Sequence, residues 1–119
     1  MAKSNDALAT RLCRSQEITL TVTGRKSGKQ ISYPVWFVFE DEKLYLLPAR
    51  GSDTQWYKNV LKNPDIRIAA GNAKAELEVV PVKDAKKVKP IIEKFRAKYG
   101  DSGIRLYTKL DVAVIAPLH

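Results

Sequence analysis

Two short stretches of this sequence set cations on flexible backbone, and both have the make-up of anion sites. Thr23-Gly-Arg-Lys-Ser-Gly28 places Arg25 and Lys26 next to each other between two glycines. Such a loop can turn backbone N–H groups and two positive side chains onto a phosphate or carboxylate. Its spacing matches neither the GxxxxGK[ST] nor the GxGxxG phosphate fingerprint. A basic exposed hairpin is the other reading of the same residues. Pro48-Ala-Arg-Gly-Ser-Asp-Thr54 runs into an expected helix. The unpaired N–H groups and the dipole of a helix start favour an anion, and Arg50 adds a full charge. Taken alone, these residues favour a plain capped helix start, which needs only Ser52 or Asp53. A third stretch, Tyr33-Pro-Val-Trp-Phe37, supplies a flat apolar surface at Trp36. Pro34 cannot donate to a strand ladder, so it belongs at an edge, at a bulge or beside a ligand. The bland reading here is a core aromatic run.

The rest of the composition narrows the chemistry. Among 119 residues there is one cysteine, Cys13, and one histidine, His119. That excludes an intrachain disulfide and leaves no basis for a zinc site or a Ser-His-Asp triad. Cys13 is expected to be a small buried or half-buried apolar residue. No metal ligand set and no catalytic side chain can be named, so any chemistry falls to a bound cofactor. The net charge of +8 calls for an anionic partner: nucleic acid, an acidic membrane surface or a phosphorylated small molecule. Lys86, Lys87, Lys89, Lys94, Arg96 and Lys98 fall on one expected helix, as a solvated outer face. Arg25, Lys26, Lys29 and Arg50 fall on loops that a ligand can reach. With 45% hydrophobic and 29% charged residues the chain is an ordinary folding sequence. No apolar run approaches the roughly 20 residues of a membrane span, and the N-terminus lacks the apolar centre of a signal peptide, so the expected location is cytoplasmic.

The elements that must position these stretches are legible as patterns. Ser4 or Asn5 caps a short helix to about Arg14, with Leu8 and Leu12 four apart. Ile18, Leu20 and Val22 alternate with Thr19, Thr21 and Thr23, the period of a half-buried strand. Further strands are expected over 31–40, 43–47, 66–70, 73–82 and 110–116. A helix is expected over 54–62, with Ser52 or Asp53 as cap and Ser52-x-x-Gln55 as a capping box. A second runs over 85–98, capped by Asp84, with Val88, Ile91, Ile92, Phe95 and Tyr99 on one face and a stop at Gly100. Six strands joined mainly by short turns, with two or three helices, read as one α+β domain over residues 1–119. Its core is a mostly antiparallel six-stranded barrel.

Taken in order, Thr-Gly-Arg-Lys-Ser-Gly, Pro-x-Trp-Phe, an aliphatic strand, Arg-Gly-Ser, Trp56-Tyr57-Lys-Asn59 and Lys62-Asn-Pro64 resemble the deazaflavin (coenzyme F-420)-dependent nitroreductase family. That family belongs to the flavin-binding split β-barrel group, which includes the pyridoxamine-phosphate-oxidase-like proteins. The resemblance spans about Ile18 to Val82. It implies that Arg25, Lys26 and Ser27 meet the anionic tail of the cofactor. It implies that Pro34, Val35 and Trp36 meet the ring edge, that Ala49, Arg50 and Gly51 hold the phosphate, and that Trp56 and Asn59 support the site. Members that reduce nitro compounds and quinones tend to have Tyr where this chain has Trp36 and Ser where it has Ala49, which leaves the proton donor unassigned.

The resemblance implies an oxidoreductase that passes a hydride to a quinone, nitro or similar electron-poor acceptor, as a homodimer. Flavin mononucleotide (FMN) is the alternative cofactor, and a cofactor carrier without turnover is the alternative role. A nucleic-acid binder that stacks bases on Trp36, Tyr33 or Tyr57 is a remoter one, so no specific nucleic acid is expected.

Overall fold

A computed structural model describes residues 2–118. Helix α1 (Ala2–Arg14) leads into β1 (Ile18–Thr23), β2 (Gln30–Val35), β3 (Val38–Glu40) and β4 (Lys43–Leu46). A 3-10 turn (Gly51–Asp53) and α2 (Gln55–Lys62) follow, then β5 (Asp65–Ala70), β6 (Ala73–Glu78) and β7 (Val80–Val82). The chain ends in α3 (Ala85–Ile104) and β8 (Ala113–Pro117). The strands form two four-stranded sheets, β2-β1-β5-β6 and β3-β4-β8-β7, with every strand pair antiparallel.

The α+β class is as expected, but the six expected strands are eight. Two long strands each break once, and at each break the chain crosses from one sheet to the other. The first break is at Trp36-Phe37. The Phe37 N–H donates to the Tyr99 hydroxyl at 3.1 Å, and the Phe37 carbonyl accepts from Lys98 Nζ at 2.9 Å. The Tyr99 hydroxyl also lies 2.9 Å from that carbonyl and 2.7 Å from the carbonyl of Gln16. Backbone groups that leave a ladder need other partners, and α3 supplies them here. The second break is at Val79, whose N–H donates to the Pro64 carbonyl at 2.9 Å. The two sheets are thus joined at both edges by bent strands.

Burial follows the strand period. In β1, Ile18, Leu20 and Val22 point inward, and together with Phe37, Leu44, Leu46, Ile68 and Val114 they fill the space between the sheets. Leu8 and Leu12 of α1 and Tyr57 and Val60 of α2 close this core. A second core forms where Val88, Ile91 and Phe95 of α3 pack on Val38, Tyr45, Leu47 and Ala113. Each such side chain contributes about 1.5–3 kcal/mol of burial.

Several local expectations need correction. Helix α1 begins at Ala2, so Ser4 and Asn5 lie inside it. Cys13 is exposed, because Leu8 and Leu12 take the inward face and the next residue points about 100° away. Thr54, not Ser52 or Asp53, precedes α2, and the capping box does not form because Ser52 turns to Asp111. Asp84 does cap α3, accepting from the Lys86 N–H at 2.9 Å. Gly100 (φ 80°, ψ 172°) breaks the helical path where a stop was expected, yet helical turns resume to Ile104. The last strand begins at Ala113, not Leu110, and includes Pro117.

Candidate functional site

The edge strand β2, the loop after β4, the start of α2 and the segment after α3 surround a cleft of about 410 Å³. Its lining includes Pro34, Val35 and Trp36 from β2 and the residue after it, Ala49, Arg50 and Thr54 from the loop, Gln55 and Trp56 from α2, and Leu106 and Tyr107 after α3. Pro34 sits on an edge strand, where its missing N–H costs no ladder bond on the open side. A second cleft of about 310 Å³ is lined by Gly24, Arg25, Lys26, Ser27, Ile31 and Asn59. Tyr33 and Gln55 line both clefts, so the aromatic cleft and the basic loop lie side by side.

Trp36 is a fixed wall rather than a free platform. Tyr99 stacks on its indole at 4.3 Å with 6° between the planes, and Tyr107 meets it edge-on at 6.3 Å. Phe95 backs both tyrosines at 6.0 and 6.2 Å. The wall is therefore anchored in α3, and only the side of Trp36 away from Tyr99 is open to a ligand. Tyr57 is 1% exposed, which removes it as a base-stacking platform.

The cations of the two loops differ in what holds them. Arg25 is tied to α2: its N–H and Nη1 donate to Asn59 Oδ1 at 3.2 and 2.7 Å, and its Nη2 donates to Gln55 Oε1 at 3.0 Å. Ser27 is turned inward on the loop, its Oγ accepting from the Lys29 N–H at 3.1 Å. Lys26 is exposed. Arg50 is exposed too, and its backbone N–H donates to Thr54 Oγ1 at 2.8 Å. Among the described residues, neither the Lys26 nor the Arg50 side chain has a partner. Gly51 does not line either cleft. It is buried and packs toward Asp111 and Lys109. The six basic residues of α3 split as well: Lys86, Lys87 and Lys89 are exposed, Lys94 pairs with Glu40, and Arg96 pairs with Glu93 and Asp101. Lys98 lies over the Phe37 ring at 3.7 Å, and burial holds its ammonium below the usual lysine value.

Sequence patterns missed Glu17, Gln55, Leu106 and Tyr107 as cleft residues. Tyr107 lies in a stretch without helical or strand period, so its aromatic side chain was the only signal. Burial first, and the nearby Tyr99 second, raise the Tyr107 hydroxyl above the usual tyrosine value, so it is a neutral donor. Among the described residues the cleft contains no histidine or cysteine, and no cluster could hold a metal ion. What the arrangement offers is a largely apolar, aromatic-lined cleft with Arg50 in its lining and Lys26 in the neighbouring cleft, suited to a flat ring that carries an anionic tail. No helix of the described residues is long and apolar enough to cross a membrane.

The fold is shared with proteins of several activities. An F420-H2 dependent reductase superposes with a TM-score of 0.67 at 21% identity, over 85% of this chain and 93% of that one. The heme storage protein HutZ of Vibrio cholerae gives 0.72 at 13% identity, over 96% and 89%. A protein assigned provisionally as a pyridoxamine 5'-phosphate oxidase in Listeria innocua gives 0.69 at 14%, over 93% and 90%. At these identities the likeness is one of fold alone. No curated protein matches by sequence. A family model described as "Uncharacterized protein conserved in bacteria" matches residues 9–113, and the chain belongs to that family, DUF2255.

Proposed function

We propose that this protein is an oxidoreductase that binds coenzyme F420 across the two adjoining clefts, with FMN as the alternative cofactor, and works as a homodimer. The observation that carries the reading is the adjacency of the aromatic cleft and the basic-loop cleft, which share Tyr33 and Gln55 in their walls. A tricyclic ring fits between Pro34, Val35, Trp36 and Trp56, and its tail leads past Gln55 toward Lys26. Arg50 and the start of α2 face a phosphate from the other side. The chemistry that a bound, reduced deazaflavin would supply is hydride transfer to an electron-poor acceptor such as a quinone or nitro compound. The chain's own part is to orient ring and acceptor, exclude water and neutralise the tail.

The test is a titration of the protein with F420 and with FMN, followed by absorbance and by tryptophan fluorescence. F420 should bind and quench Trp36 and Trp56. Each of Lys26→Ala and Arg50→Ala should weaken binding about ten- to a hundredfold, one charge-assisted contact apiece. Reduced F420 bound to the protein should then be oxidised by a quinone, and failure of that step alone would leave a carrier. Absence of binding by both cofactors, with quenching by single-stranded nucleic acid at physiological salt, overturns the reading.

A further inference from the structure

The turn that carries Arg50 is gripped from outside the cleft. Asp111 Oδ1 accepts from the Ser52 N–H at 3.0 Å, and Oδ2 accepts from Ser52 Oγ at 2.6 Å. The Ala49 carbonyl accepts from the Thr108 N–H at 2.8 Å and from Thr108 Oγ1 at 3.3 Å. Arg50 and Lys109 form an isolated parallel bridge. Between these contacts lies Gly51 at φ +55°, where an added Cβ would stand 2.1 Å from Asp111 Oδ1 and 2.9 Å from the Lys109 carbonyl. Arg50 itself is thus pinned on both flanks, and its side chain alone is left to face the cleft.

We propose that Asp111 is a positioning residue for the anion site. Its carboxylate closes the Gly51–Asp53 turn onto the 107–111 segment, and this aims Arg50 and the first turn of α2 at the cofactor's phosphate. This rests on the cofactor reading above. Asp111 touches neither cleft, so its effect passes through Ser52 and Gly51. The charged groups around it are Lys109, 3.7 Å away, and Asp53, which shares that lysine. Tyr57 faces it from α2. A carboxylate held by two Ser52 donors and Lys109 is ionised at neutral pH, so the grip is charge-assisted.

Two measurements test this. In ligand-free protein, hydrogen exchange at the Ser52 amide should quicken about tenfold or more in Asp111→Ala, the effect of losing one charge-assisted bond. Exchange in the β1–β5 ladder should stay unchanged. Asp111→Asn, which keeps a neutral acceptor, should give protection between those of the parent and Asp111→Ala. Ser52→Ala, which removes only the hydroxyl bond, serves where Asp111→Ala folds poorly. In the titration with F420, the dissociation constant should rise about tenfold in Asp111→Ala and less in Asp111→Asn. A faster Ser52 amide with unchanged F420 affinity overturns the proposal, as does an unchanged amide. A parent protein that binds neither F420 nor FMN removes the cofactor reading instead, which is a different result from loss at Asp111 alone.

Discussion

The two glycine-bearing basic loops at the cleft look alike in sequence and are built differently. In the first, Gly28 has φ +72° and an added Cβ would meet nothing within 4 Å. The loop's single strong tether is Arg25, gripped by Asn59 and Gln55 of α2, and Lys26 projects into solvent. In the second, Gly51 also has positive φ but is enclosed by Asp111 and Lys109. The first glycine meets a backbone need, whereas the second meets a backbone need and a space need together. The first loop can adapt to a ligand's tail. The second fixes the backbone that carries Arg50 and leaves its side chain free.

Alanine at each glycine should expose that difference most strongly. Gly28→Ala meets only the left-handed backbone penalty, about 1–2 kcal/mol. Gly51→Ala meets the same penalty plus overpacking against Asp111 and the Lys109 backbone, about 2–5 kcal/mol in sum. Chemical denaturation of both variants measures the gap, and equal losses would dissolve the comparison.

Within the first loop, neighbouring cations should separate by role. Arg25→Ala leaves Asn59, 3% exposed, without its side-chain partner, and should cost about 1–3 kcal/mol of stability. Lys26→Ala should change stability by less than about 0.5 kcal/mol, since nothing in the fold depends on it. Thermal unfolding of the two variants checks this. If Lys26→Ala were the more destabilising, the tether would be wrongly placed.

How much of this was legible in the sequence depends on whether the cause was local. The β1 alternation, the Asp84 cap and the Gly100 break are local, and they stand where the residues indicated. The eight-strand division was not legible. Residues 31–40 and 73–82 read as unbroken strands, and what splits them is Tyr99 and Lys98 from α3 and the carbonyl of Pro64. Ser52 followed by Gln55 reads as a capping box, yet a distant carboxylate, Asp111, takes the Ser52 hydroxyl. The same distance hid Tyr107 as a cleft residue and Asp111 as the partner of Ser52. Cys13 shows the opposite error: a residue type usually buried was placed outward by its position relative to Leu8 and Leu12.

Acid should separate the loops by a smaller margin. The first loop, Gly24 to Lys29, contains no carboxylate, and the second is closed by one. Asp111 loses some of its hydration by partial burial, a cost that raises its value. The Ser52 donors and Lys109 outweigh this and hold it below the usual carboxylate value. A carboxyl depressed in the folded protein contributes stability that is fully present above its unfolded value, about 3.9, and is lost as pH falls through the folded value. Protonation then removes the charge that both Ser52 donors use. Protection of the Ser52 amide against hydrogen exchange, corrected for the intrinsic rate at each pH, should therefore fall below about pH 4. Protection of the Lys29 amide, bonded to Ser27 Oγ, should hold over the same range. Asp111→Asn should flatten the Ser52 profile at an intermediate level. Parallel loss at Ser52 and Lys29 would mean that acid loosens the whole fold and that Asp111 is not the switch for its own loop.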